Sequence, residues 1–271
     1  MDSSNLKKYG TQPSSITSSL LTSSRIIASP EAKFHIGPNK DEFTIHSGLV
    51  ALQSSSMHNI MKQQKGRFER PILWKHVEVN TFIRFSAFAY TGDYDGPEPR
   101  RREIPAVVSQ PRLLRKMIKL RLTNQGSGIR NSYDSYSWEM FVKRYPGHEF
   151  SPDDAIDSRT HSCLEVFLCH VRMFLFADRY RITSLRDLAI RKLWIAMVNM
   201  TFTGNAIPDL TQLIKYVYNN THKDNPAGQE IRSLVRRYFI IRLDRMWNHT
   251  ELKDFAKNSE LLNAIPLEGF H

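Results

Sequence analysis

Hydrophobic and polar positions alternate twice near the start of the chain, in KFHIG and EFTIH, with Pro38-Asn39-Lys40-Asp41 between them. That pattern predicts two short strands joined by a turn, with Phe43 and Ile45 on one face of the second. In SGLVALQSSSMHNIMK the apolar positions Leu49, Leu52, Met57, Ile60 and Met61 approach helical spacing but are broken by Ser54-Ser55-Ser56, which predicts two short helices. After a turn at Gly66, ILWK reads as a third strand. Val79 to Tyr90 follows as a helix whose Phe82, Phe85, Phe88 and Ala89 recur at three and four residues and should be largely buried.

From Asp95 to about His161 the periodicity dissolves into turn formers and charge, in DGPEPRRREIP, NQGSGIRNSYDSYS and YPGHEFSPDD, and this stretch reads as a long insertion. Regularity returns at Leu164, Phe167, Leu168, Val171, Phe174 and Leu175, a stripe on one helix. Arg181-Ile182 turns the chain. Ser184 and Asp187 have capping-box spacing ahead of Leu185, Leu188, Ala189, Leu193 and Ala196, so a helical hairpin is expected. Further helices are expected at Leu210 to Tyr218, Glu230 to about Trp247 and Leu252 to Leu262, with HKDNPAGQ as a linker. The first 29 residues hold nine serines and few large apolar groups, the composition of a flexible tail.

Composition supports a globular chain: 271 residues, 41% apolar and 11% aromatic, are enough for a substantial core. No run approaches the roughly 20 apolar residues of a membrane span, and the richest stretch, Leu164 to Ala177, is broken by Cys169-His170 and Arg172. The opening MDSSNLKKYGTQPSS lacks the apolar core and cleavage site of a secretory leader. The only cysteines, Cys163 and Cys169, do not share a helical face and suit buried, reduced thiols, so an intracellular protein of nucleus or cytoplasm is expected. Together with His161 and His170 they lack zinc-ligand spacing, and no metal, cofactor or small-molecule substrate is expected.

Catalytic signatures are equally sparse. The sequence holds no Gly-x-Ser-x-Gly elbow, phosphate-cradling loop or His-Glu-x-x-His segment. Gly126-Ser127-Gly128 follows no strand and reads as a turn. Asp153, Asp154 and Asp157 read as a solvated helix start rather than as acid-base carboxylates. The balance at pH 7 is +11, and from Gly96 to Arg130 nine Arg or Lys residues face two Glu. Within that insertion lie Arg100, Arg101, Arg102, Arg112, Arg115, Lys116, Lys119 and Arg121. PRLLRKMIKLRL sets Leu113, Leu114, Met117 and Ile118 near one face, the pattern of a basic amphipathic helix. Nucleic acid, an acidic protein partner or an import receptor could read such a patch, but no groove-reading motif accompanies it. RSLVRRYFIIRLDR is similarly basic, and its aliphatic and aromatic content predicts a core-facing helix with long basic side chains outside.

Three segments carry a likeness to a known family. FTIHSGLVALQSSSM resembles the F-x-x-H, then Leu, then Ser segment of BTB/POZ domains at Phe43, His46, Leu49 and Ser54. VEVNTFIRFSAFAYTGDY is similar to that family's helix ending in Tyr-Thr-Gly, here Tyr90-Thr91-Gly92. VRMFLFADRYRITSLRDLAIRKL resembles its helical hairpin through Phe174, Ala177, Asp178, Tyr180, Ile182 and Leu185. The likeness covers residues 33 to 95 and 164 to about 197. It implies an α+β fold, a small mixed sheet flanked by helical hairpins over residues 30–200, interrupted by the insertion at about 95–161 and followed by a helical extension at 201–271.

The resemblance also implies a function: contact with other proteins without catalysis, either through self-association or as a substrate adaptor on a cullin-type ubiquitin ligase. The alternative is a basic, nucleic-acid-associated protein binding through 97–130. Two departures from the family pattern stand out. The family's first strand is represented only by Ile26-Ile27, and its apolar-x-Glu element only by Phe68-Glu69, with the Glu one place early. Read as chemistry, His46 sits where an imidazole could bond free amides at a helix start, and Gly92 could end its helix at positive φ. Ala177 would let two helices approach, with Asp178 and Tyr180 fixing the corner by hydrogen bonds.

Overall fold

In the computed structural model of the chain, residues 24, 26, 28–64, 66, 70–103, 129–145 and 154–246 are described, those at 129–135 and 243–246 as backbone only. They form a mixed α and β structure in two compact units, residues 1–93 and 94–271.

From Glu31 onward the first unit runs through β1 (Glu31–Ile36) and β2 (Asp41–His46), antiparallel partners with Phe34 opposite Phe43. The connecting turn is set by Gly37 and Lys40, both at positive φ. Alternation in β1 sends Ala32, Phe34 and Ile36 inward. Helices α1 (Ser47–Gln53) and α2 (Ser55–Gln64) then carry the chain across to β3 (Ile72–Trp74), which pairs parallel to β1 and completes the order β2-β1-β3. Helix α3 (Val79–Thr91) buries Thr81, Phe82, Phe85, Phe88 and Ala89. The Phe82 ring lies 5.0 Å from Phe34, 5.2 Å from Phe43 and 5.9 Å from Trp74, so one helical side chain joins all three strands in the core. Gly92 ends α3 at φ 80° and donates its N–H to the Phe88 carbonyl, as its position implied.

The start of α1 is capped from outside the hairpin. The amide of Ser47 donates to the Pro30 carbonyl at 2.9 Å, and that of Gly48 to Ser29 Oγ at 3.0 Å. The approach is close: a Cβ at position 48 would lie 2.9 Å from Ser29 Oγ, so a side chain there would push the Ser29 hydroxyl from its capping position.

The second unit contains β4 (Arg100–Arg101), α4 (Ile129–Val142), β5 (Ile156–Asp157), β6 (His161–Ser162), α5 (Leu164–Arg179), α6 (Thr183–Asn199), β7 (Met200–Thr201), α7 (Ile207–Asn220) and α8 (Pro226–Met246). β4 runs antiparallel to β6, and β5 parallel to β7. Helix α5 carries more than the stripe expected of it. Val166 to Val171 are six consecutive buried residues, so most of its circumference is covered, as befits a central helix.

The corner between α5 and α6 is a Schellman turn. Ile182 N–H reaches the Ala177 carbonyl at 2.8 Å and Arg181 N–H the Asp178 carbonyl at 3.1 Å, while Arg181 takes φ 56°. A side chain in this left-handed conformation costs roughly 1 to 2 kcal/mol. Arg181→Gly is therefore expected to raise stability by about 1 kcal/mol, read as a higher urea midpoint at unchanged slope.

Several local expectations are corrected. Helix α6 opens at Thr183 with Ile182 at its cap and no side-chain cap bond, so Ser184 and Asp187 form no capping box; Asp187 instead lies 3.5 Å from Arg186. Helix α4 occupies a stretch that reads as turn formers. It is held by tertiary contacts: Phe141 packs on Tyr238 at 5.5 Å, Trp194 Nε1 donates to the Phe141 carbonyl, and the Arg242 guanidinium lies 4.1 Å over the Trp138 ring. The linker HKDNPAGQ is half helix, because α8 begins at Pro226 with Asn225 Oδ1 accepting the Ala227 amide. Asp157 is no helix start; it lies in β5 and pairs with Arg159 at 3.0 Å. As expected, α8 turns Ile231, Leu234, Val235, Tyr238 and Phe239 into the core. The helix expected at Leu252 to Leu262 lies outside the described residues.

Candidate functional site

In the first unit, the Pro30 carbonyl and the Ser29 hydroxyl already take the Ser47 and Gly48 amides of α1, and His46, at the junction of β2 and α1, makes no cap bond. Its imidazole turns to α3 instead, placing Nδ1 2.8 Å from the Tyr90 hydroxyl, with the two rings edge to face. Two signature residues 44 positions apart are thus joined. The pair closes one end of an exposed apolar ridge on α3, where Ile83, Ala87 and Tyr90 recur at helical spacing and Ile83 and Tyr90 are 48% and 55% exposed. Leu49 is part of the core rather than of this surface. Phe68 and Glu69 lie outside the described residues.

In the second unit, Asp178 Oδ2 accepts a hydrogen bond from Asn225 Nδ2 at 2.9 Å. Because Asn225 caps α8, the carboxylate ties the end of α5 to the start of α8. Tyr180 is buried against Phe176, with ring centroids 4.8 Å apart, and burial pushes its phenol up to about 12.

The basic residues divide. Arg100 and Arg101 are exposed on β4. Arg102 turns inward: its Nε donates to the carbonyls of Ser158 and His161, and its terminal nitrogen meets Asp209 at 2.7 Å. Arg112, Arg115, Lys116, Lys119 and Arg121, with the expected amphipathic helix around them, lie outside the described residues.

Asp209 is the residue that sequence reasoning missed. Its Oδ2 accepts from Arg102, from Ser162 Oγ at 2.9 Å and from the Cys163 amide at 2.9 Å, in a carboxylate only 6% exposed. It stands in the first turn of α7 while capping the start of α5, so one anion serves the positive ends of two helices. In NAIPDLTQ the only visible signal was an acidic residue just after a Pro, ordinary for a helix start.

Beside it, Cys163 is fully buried and its thiol is pushed up to about 12, mainly by burial, with the Asp209 carboxylate adding and Arg102 opposing. With ordinary values of 9.0 for the thiol and 10.0 for the phenol of Tyr180, the unfolded chain ionises first as pH rises. Stability contributed by these groups is whole below about pH 9 and falls between about 9 and 12. A urea midpoint that declines through that window, together with alkylation of Cys163 only on unfolding, is the expected result. Rapid labelling of the folded protein at pH 8 would contradict it.

Among the described residues, no group of three or more His, Cys, Asp and Glu side chains is placed to hold a metal ion. A narrow apolar seam between α6, α7 and α8, lined by Met197, Leu210, Leu213, Val235 and Phe239, leaves no room for a water molecule. Among the described residues, no helix is long and apolar enough to cross a membrane. Compared with known proteins, the chain matches no family model, no curated protein and no solved structure.

Proposed function

We propose that the chain is a non-enzymatic protein-interaction module of BTB/POZ type that acts by associating with itself or with a scaffold protein such as a cullin. The observation that carries this reading is the first unit. Among the described residues, its elements from Glu31 onward run strand, strand, helix, helix, strand, helix, with β3 parallel to β1, and residues of the resemblance motifs lie within them: His46 bonded to Tyr90, Leu49 in the core, and Gly92 at the end of α3. The exposed ridge of Ile83 and Tyr90 gives such a module an apolar contact surface.

Light-scattering mass and capture by an immobilised cullin scaffold test the proposal on the full chain. A mass of twice the monomer or higher, or capture that survives raised salt, is expected. A clean monomer without cullin capture would overturn both forms. The competing reading, a nucleic-acid-associated protein working through 97–130, retains the exposed Arg100 and Arg101 in its favour. It predicts nucleic-acid binding that falls steeply with salt and disappears when 97–130 is deleted.

A further inference from the structure

We draw no further inference here: the strongest candidate, the exposed apolar ridge of Ile83, Ala87 and Tyr90 on helix α3 of the first unit, carries nothing beyond the proposal above because nothing in the structure shows what covers it.

Discussion

Phe82→Ala is expected to destabilise the first unit by about 4 kcal/mol. The side chain is 1% exposed and its ring meets those of Phe34, Phe43, Trp74 and Phe85, so truncation removes contacts to every strand of the sheet at once. Rings fixed by a three-stranded sheet cannot move far to fill the space, and the cavity term adds to the lost transfer energy. Phe85→Ala, at a fully buried position one turn on, should cost about 3 to 5 kcal/mol by the same reasoning. Ile83→Ala on the exposed face of the same helix should change stability by less than about 0.5 kcal/mol. Hydrogen exchange of the Phe34 and Ile36 amides in β1 reports on this unit without interference from the other. Equal protection in the Phe82 and Ile83 variants would place α3 off the sheet.

The second large effect lies at Asp209. Asp209→Ala is expected to cost about 3 to 5 kcal/mol, because it leaves a half-buried guanidinium, a buried amide and a hydroxyl without their shared acceptor. Arg102→Ala should cost less, since the carboxylate keeps its Ser162 and Cys163 donors. The double variant should lose clearly less than the sum, as expected of residues in one network. Asp224→Ala, exposed in the turn before α8, is the matched control and should stay within about 0.5 kcal/mol. Chemical denaturation of the four proteins decides the point. Additive losses would mean that Arg102 and Asp209 act independently despite their 2.7 Å separation.

These two sites mark where the fold was legible in the sequence and where it was not. Around Phe82 each local signal agrees with the tertiary result: β1 alternates, α3 repeats at three and four residues, and Gly92 stops the helix where a positive φ is needed. Helix α4 could not be read that way. IRNSYDSYSWEMFV is rich in residues that favour turns, and its helical state depends on Trp138 and Phe141 meeting Tyr238 and Arg242, about a hundred positions away. The two-residue ladders of β4 with β6 and β5 with β7 are too short to show alternation. They rely on side chains such as Ser158, whose hydroxyl bonds the Thr201 carbonyl and Thr203 Oγ1. Of the candidate site, His46, Tyr90, Gly92, Asp178 and Tyr180 were visible as motif positions. Their partners were not: that His46 would reach Tyr90, or Asp178 reach Asn225, is a matter of three-dimensional packing.

The cap on α1 extends the hydrogen bonding of the first unit upstream of its sheet. Cutting just before Glu31 would retain all three strands and the aromatic cluster, and by pattern alone it looks a natural place to start. It would nonetheless discard both acceptors at the head of α1, Ser29 Oγ and the Pro30 carbonyl, at a cost of about 1 kcal/mol for the side-chain cap alone. Ser29 in turn donates to the Ile26 carbonyl at 2.6 Å, so the hydroxyl is itself oriented by the turn before it. The local hydrogen bonding of the first unit therefore reaches back to Ile26, seven residues upstream of the first alternating segment, Lys33 onward, that the sequence displays.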